Sequence, residues 1–199
     1  MRRSPLMWLL FAVSMHVLGL TGIADSEERL RAGTKDLSVS GGYSISHNIA
    51  HFKDVETVEG FHLLPHFGYV ITDQHGAGWV RGNFELLAEP TLIHLAASNS
   101  ATVVGLSVLG RWVFATGPVA RPYFEVGLGV LGGRVNLRET NCEANFIIEA
   151  GPGVLLFLSE ATTVTVGYRF HHISNAGACT QNLGVNSSLF TLGISHFFR

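Results

Sequence analysis

The chain has 199 residues, of which 47% are hydrophobic and 14% are charged. Its 13 Lys and Arg against 15 Asp and Glu give a formal net charge of −2. Nucleic-acid binding is therefore disfavoured, because a nucleic-acid partner requires a basic surface.

The first 24 residues have the pattern of a secretory signal. Arg2 and Arg3 precede an apolar run, which ends at the small-residue site Gly22-Ile23-Ala24. We expect residues 1–24 to be removed and residues 25–199 to form one domain. A lone amino-terminal membrane anchor is the alternative, which the short apolar core disfavours. Cleavage removes Arg2 and Arg3, two of the 13 basic residues. The remaining chain has 11 basic and 15 acidic residues, which gives a net charge of −4.

No later segment has the 18 continuous apolar residues that a spanning helix needs. The chain instead contains alternating segments of the kind that build transmembrane β-barrels. Eight such segments follow in order: 36–46, 58–72, 77–95, 101–115, 119–133, 144–158, 161–174 and 186–198. The predicted fold is all-β, an eight-stranded antiparallel barrel of the outer membrane.

The connections between these segments alternate in length. Residues 73–76, 116–118 and 159–160 are tight turns, whereas 47–57, 134–143 and 175–185 are longer. The connection at 97–100 is short, against this trend. Outer-membrane barrels have tight periplasmic turns and longer outer loops, so both termini are expected in the periplasm.

The two faces of the segments differ in chemistry. Even positions are largely apolar in several segments, as at Val104, Leu106, Val108, Trp112, Phe114, Phe124, Val126, Leu128, Val130, Phe146, Ile148, Val154, Leu156 and Leu158. Odd positions carry Arg81, Asn83, Glu85, Arg111, Glu125, Glu149 and Arg169. We expect the apolar face to meet lipid and the charges to pair inside a barrel too narrow for a pore.

A soluble β-sandwich or lipocalin-like barrel is the structural alternative. It would bury the apolar row and expose the charges to water. The membrane barrel is favoured instead, because aromatic residues flank the aliphatic central parts of the segments, as Trp112, Tyr168 and Phe198 do. The closing strand NSSLFTLGISHFFR favours it as well.

The stretch 163–175, which covers most of the seventh segment, ends in a pair of reactive residues. Alternation places His172 and Ser174 on one face, at the end of the apolar row. A base and a nucleophile at the end of a lipid-facing strand suit an enzyme that acts on a lipid. The alternative is an interfacial histidine beside a serine that forms a turn.

The run HISNAG at 172–177, followed by NLG at 182–184, resembles the outer-membrane lipid A 3-O-deacylase (PagL) family, also called acyloxyacyl hydrolases. The resemblance implies a serine ester hydrolase in which His172 is the general base and Ser174 the nucleophile. It places Asn182 near the oxyanion, and we expect backbone N–H groups between Asn175 and Gly177 to assist it.

One position departs from the family. Twelve residues after the serine the family has a Glu that orients the histidine, and this chain has Asn186. An amide can orient an imidazole but cannot stabilise its positive charge as a carboxylate does. We therefore expect reduced activity. The nearest other carboxylates, Glu139 and Glu143, are predicted to lie in a loop and could replace the missing Glu only if that loop folded over the site.

Cys142 and Cys179 are the only cysteines, and both fall in predicted outer loops. An exported chain matures in an oxidising compartment, so we expect them to form a disulfide. His171 is expected to face the interior as a structural residue. The histidines at 62, 66, 75, 94 and 196 are scattered, and no metal site or cofactor is predicted.

The hypothesis from the sequence is thus an outer-membrane lipid A deacylase that removes an ester-linked hydroxyacyl chain, with its active site at the outer leaflet. Its partners would be lipid A or lipopolysaccharide and the surrounding outer-membrane lipids, and a homodimer is compatible with it. The alternative is a noncatalytic structural or adhesion barrel of the same family, which Asn186 favours.

Overall fold

The computed structural model describes residues 29–49, 56–137 and 139–199. The predicted signal sequence, residues 1–24, lies outside these residues. In the described part of the chain, no helix is long and apolar enough to cross a membrane.

Eight strands form one closed sheet. They are β1 (Lys35–His47), β2 (Glu59–Val70), β3 (Gly82–Ala96), β4 (Ala101–Phe114), β5 (Ala120–Asn136), β6 (Asn141–Phe157), β7 (Thr162–Ser174) and β8 (Val185–Phe198). Each strand pairs antiparallel with the next, and β8 pairs with β1 to close the barrel. The predicted eight-stranded antiparallel barrel is confirmed.

The third segment begins later than the sequence predicts. Residues 77–81 were expected to be extended, but Gly78–Val80 form a short 3₁₀ helix and β3 starts at Gly82. Gly76 and Gly78 have φ values of 91° and 59°. These left-handed conformations interrupt an extended strand, and glycine adopts them without steric cost.

The outward face of the barrel is apolar. Large side chains exposed on it include Leu63, Phe67, Leu92, Val104, Leu106, Val108, Phe124, Val126, Leu128, Val130, Phe146, Ile148, Phe190, Leu192 and Ile194. Leu128 is 66% exposed, which a water-soluble protein would avoid in so continuous a belt. The belt is the surface of a transmembrane barrel, and the soluble alternative is wrong because it requires these side chains to be buried.

Two buried arginines organise the charges inside the barrel. Arg111 Nε donates to Glu125 Oε2 at 2.9 Å, and Arg169 Nε donates to the other oxygen of the same carboxylate at 2.7 Å. Arg169 Nη1 also contacts Glu89 and Glu149, at 2.8 and 3.0 Å. Glu125 therefore links the two arginines into one network.

The network differs from the predicted set at a few positions. Arg81 is exposed and lies outside the barrel interior, because it follows the 3₁₀ helix instead of standing in a strand. Asp36, His66 and Glu89 are buried members that the sequence did not indicate. Asp36 and His66 stand at even positions, which face inward in β1 and β2, whereas Glu89 stands at an odd, inward position of β3.

Apolar clusters fill the barrel on either side of these charges. The end at which β7 stops and β8 begins is called here the loop end, and its interior holds residues such as Val58, Ile93, Leu131, Ile147, Ile173 and Val185. The opposite end, called the terminal end, holds Leu30, Val70, Val113, Tyr123, Leu155, Phe157 and Phe197. The interior is thus packed with side chains, as an eight-stranded barrel requires.

Candidate functional site

The candidate site lies on the outward face at the loop end, across β7 and β8. His172 of β7 and Asn186 of β8 are register partners, so their side chains leave the sheet side by side. Both are half-buried. The antiparallel pairing thus brings together two residues that are 14 positions apart in the chain.

A short hydrogen bond fixes the imidazole of His172. Its Nδ1 lies 2.7 Å from Asn186 Oδ1. Since an amide oxygen can only accept, Nδ1 carries the proton and the Nε2 lone pair remains available. This tautomer is the one that a general base needs, because Nε2 can then take a proton from a hydroxyl.

Gly184 leaves space for the imidazole of His172. Its φ is +74°, and a Cβ built on it would lie 2.7 Å from His172 Cε1 and 3.5 Å from Nδ1. No side chain fits at this position without moving the imidazole. The sequence alone did not indicate this role, since the contact depends on how the loop enters β8.

Ser174 stands one alternation step beyond His172 on the same face of β7. It pairs with Phe146 of β6 and is half-buried. In the described part of the chain, its hydroxyl makes no hydrogen bond to His172. Catalytic hydrogen bonds are often long in unliganded enzymes and tighten when substrate binds. The structure therefore gives the shared face and the spacing, but not a formed serine–histidine pair.

A tight turn follows Ser174. Ala178 N donates to the carbonyl oxygen of Asn175 at 2.9 Å, and the two central residues, Ala176 and Gly177, have φ values of 52° and 83°. Two successive positive φ values define a type I′ turn. In the described chain, Ala176 is the one residue other than glycine that has a positive φ. This conformation is strained for a residue with a side chain, and strained residues concentrate at functional sites.

The backbone donors that the sequence assigned to the oxyanion have internal partners. Asn175 N donates to Asn182 Oδ1 at 2.9 Å, and Gly177 N donates to Asn175 Oδ1 at 3.0 Å. Within the described residues, the Ala176 N–H donates to no group. The donors left for an oxyanion in this loop are thus the amide nitrogen of Asn182 and the Ala176 N–H, which lies within the stretch from Asn175 to Gly177 that the sequence indicated.

Asn175 is the anchor of this loop. Its side chain is 0% exposed, and its Nδ2 donates to Thr140 Oγ1 at 3.1 Å and to the carbonyl oxygen of Gln181 at 2.6 Å. Cys142 and Cys179 are joined by a disulfide with Cα atoms 6.0 Å apart. Cys142 is the second residue of β6, so this bond ties the β7–β8 loop to a strand of the barrel wall.

Neither Glu139 nor Glu143, the carboxylates that the sequence offered as substitutes, contacts His172. Glu139 is 4% exposed and accepts a hydrogen bond from Glu56 N at 2.8 Å, while Glu143 pairs with Arg134 on the surface. Glu139 lines a cavity of about 220 Å³ that is also lined by Asn186. In the described residues, no group of three His, Cys, Asp or Glu could hold a metal ion.

Several solved structures are similar to this one in fold. The outer-membrane enzyme PagL matches with a TM-score of 0.57 and 18% identity, over 79% of this chain and 97% of its own. Neisserial surface protein A (NspA) matches with a TM-score of 0.61 and 15% identity, over 83% and 99%. Ail, the attachment invasion locus protein of Yersinia pestis, matches with a TM-score of 0.52 and 14% identity, over 84% and 99%.

These identities establish a shared fold and nothing finer. A search of curated protein sequences finds no match. The family model for lipid A 3-O-deacylase (PagL), however, matches residues 50–195, which is most of the chain and includes His172, Ser174 and Asn186. The chain therefore belongs to the lipid A 3-O-deacylase (PagL) family.

Proposed function

We propose that this protein is an outer-membrane lipid A deacylase, which hydrolyses an ester-linked acyl chain with Ser174 as nucleophile and His172 as general base. The observation that carries the proposal is the hydrogen bond from His172 Nδ1–H to Asn186, which leaves Nε2 available on the outward face that His172 shares with Ser174. Family membership supports the choice of lipid A as substrate.

The chemistry follows from these positions. His172 Nε2 takes the proton of Ser174 Oγ as the oxygen attacks the ester carbonyl, and the amide of Asn182 and the Ala176 N–H donate to the oxyanion. The alkoxide of the lipid then leaves with the proton from His172. Water hydrolyses the acyl-enzyme by the reverse proton transfers, which gives a fatty acid and a lipid A that lacks one chain.

The position of the site explains how such a substrate reaches it. His172 and Ser174 continue the outward row of β7, whose neighbours Val166 and Phe170 are exposed to lipid. A lipid A molecule in the outer leaflet can therefore approach sideways from the bilayer, with its acyl chains along the barrel wall. We place the loop end at the outer leaflet on this basis.

A noncatalytic role is the second candidate. It is favoured by Asn186, where the family has Glu, and by the lack of a hydrogen bond between Ser174 and His172 in the described chain. Two of the barrels that share this fold are described as a surface protein and an attachment protein. The protein would then be a structural or adhesion barrel.

The deciding experiment compares lipid A from a host with and without the protein by mass spectrometry. We expect the loss of one hydroxyacyl chain in the host that expresses it. Ser174→Ala and His172→Ala are each expected to abolish this loss while the folded barrel still migrates differently before and after heating on a gel. Unchanged lipid A in the presence of folded wild-type protein would favour the noncatalytic barrel.

A further inference from the structure

A second serine–histidine pair lies on the outward face beside the candidate site. His47 Nε2, at the end of β1, is 2.7 Å from Ser188 Oγ in β8. The distance lies within the range of about 2.6–3.2 Å that joins a nucleophile to its base. The pair is separate from His172 and Ser174, and it is already hydrogen-bonded without substrate.

The strand register explains how this pair forms. His47 is the β1 partner of Asn186, so Asn186 lies between His47 on one side and His172 on the other. Ser188 is the next outward residue of β8 after Asn186 and is half-buried. The imidazole of His47 therefore reaches Ser188 diagonally, while that of His172 reaches straight across to Asn186.

A third polar group completes the arrangement. The hydroxyl of Tyr168, on β7, lies 3.1 Å from Ser188 Oγ. Tyr168 and Phe190 are in contact at 5.4 Å between ring centroids. Tyrosine rings occupy the headgroup level of a bilayer with the hydroxyl toward water. Ser188 is thus held at the depth where the ester groups of membrane lipids lie.

Three other hydroxyl–imidazole hydrogen bonds within the described residues lack this combination. His62 and Ser44 are 2.9 Å apart, but both are buried inside the barrel. His94 contacts Thr102 at 3.0 Å and His196 contacts Thr162 at 3.4 Å, and each of these hydroxyls is a secondary alcohol without a neighbouring phenol. Among the residues that the structure describes, Ser188 alone combines a primary hydroxyl, a base, a second donor and access from the lipid.

We infer that Ser188 is a second nucleophile, activated by His47, which accepts acyl groups from esters of amphipathic lipids. Ser188 Oγ would bond to the acyl carbon as its proton moves to His47 Nε2, and the Tyr168 hydroxyl would donate to the carbonyl oxygen. The carbon–oxygen bond to the lipid alcohol then breaks, and that alkoxide takes the proton from His47. Water releases the fatty acid by the same steps.

The outward residues below Ser188 suit the acyl chain of such a substrate. Phe190 and Leu192 continue the same row of β8 and are 55% and 63% exposed. An acyl chain bound at Ser188 can lie along this row within the bilayer, while the alcohol portion remains at the interface beside His47. The substrate class is therefore a lipid ester with a polar alcohol, and the inference does not depend on the activity of Ser174.

An alkyl fluorophosphonate tests the inference by covalent labelling. A serine oxygen that is activated by a base attacks phosphorus and displaces fluoride, and peptide mass spectrometry then identifies the labelled residue. Full-length protein in outer-membrane vesicles is treated with the probe. We expect label on Ser188, and expect His47→Gln to lower its labelling rate by about 10²-fold or more, the usual contribution of a general base.

Matched variants make the result specific. His94→Gln alters another exposed, hydroxyl-bonded histidine and should leave labelling of Ser188 unchanged, as should Ser174→Ala. Labelling confined to Ser174, or labelling of Ser188 that is insensitive to His47→Gln in folded protein, would overturn the inference. Because label on Ser174 is counted separately, failure at Ser188 leaves the proposed lipid A deacylase standing.

Discussion

At the residue scale, the tautomer of His172 depends on the group that Asn186 presents to it. The amide oxygen accepts the Nδ1 proton at 2.7 Å, so orientation of the ring does not require a charge. Stabilisation of the positive charge that forms on His172 during attack, in contrast, depends on the charge of the neighbouring group. An amide offers it a dipole, whereas a carboxylate offers a full negative charge.

Asn186→Glu is therefore expected to increase deacylation at neutral pH. In a serine protease, the reverse loss of a carboxylate lowers kcat by about 10⁴, which is an upper bound for the gain here. Glu56 and Glu139 line the cavity next to position 186. Their negative charges disfavour ionisation of a new carboxyl group there, so the increase in rate should be smaller than this bound. The rate is measured on purified lipid A. Asn186→Gln introduces a side chain of the same length as glutamate but without the charge, and it should show no increase in the deacylation rate.

Gly184 allows a second prediction at the same ring. A Cβ at this position would lie 2.7 Å from His172 Cε1, so Gly184→Ala should rotate the imidazole away from Asn186 and Ser174. A displacement of about 1 Å at a reacting group can cost about 10²-fold in rate, and we expect a loss of that order.

The control for this variant is Gly78→Ala. Gly78 also has a positive φ, +59°, but a Cβ there meets nothing within 4 Å. The two variants carry the same kind of backbone strain, and only Gly184→Ala presses on the histidine. Equal losses of deacylation in both would show that strain, and not contact with His172, is responsible.

At the scale of elements, the site depends on the loop between β7 and β8. Asn175 ties the beginning of this loop to Gln181 and Thr140, and the disulfide ties Cys179 to the start of β6. The loop carries Ala176 and Asn182, which are the proposed oxyanion donors. Their positions are thus held by one buried side chain and one covalent bond.

We expect neither Cys142 nor Cys179 to react with a maleimide in freshly isolated, nonreduced membranes, and both to react after reduction and unfolding. Replacing both by serine should leave the barrel intact but expose residues 175–184 to faster proteolysis, because the closed loop loses its covalent restraint. Two reactive thiols in the untreated protein would contradict the disulfide.

The sequence predicts the strands more reliably than the contacts of the site. The period-two alternation determines which face each side chain occupies, so the interior positions of Arg111, Glu125 and Arg169 follow from it directly. The bonds that Asn175 and Gly177 make within the loop do not, because a turn with two positive φ values has no periodic pattern. The same holds for Gly184, whose importance depends on the ring that lies against it.

At the scale of the whole molecule, the barrel is a closed sheet with lipid outside and charges inside. Five acidic residues contact or adjoin two arginines in this interior: Asp36, Glu85, Glu89, Glu125 and Glu149. His66 Nε2 contacts Glu89 at 2.6 Å and adds a further partner. The two arginines carry two positive charges against these five carboxyl groups, so we expect the loss of either arginine to destabilise the interior.

Arg169→Gln tests this dependence. Its guanidinium contacts three buried carboxylates, those of Glu89, Glu125 and Glu149, and removing one member of a buried ion pair typically costs about 3–5 kcal/mol. We expect a loss of at least this size in the free energy of unfolding, measured by denaturant titration of the barrel refolded in lipid vesicles, or failure to refold.

Arg134→Gln provides the comparison for that variant. Arg134 pairs with Glu143 at 3.1 Å, but the two side chains are 71% and 77% exposed. Solvent screens such a pair, so its removal should change stability by no more than about 1 kcal/mol. Similar stability of the two variants would mean that the interior carboxylates are neutral in the folded barrel. The charge network would then be a set of ordinary hydrogen bonds, and the barrel would owe its stability to the apolar clusters at its two ends.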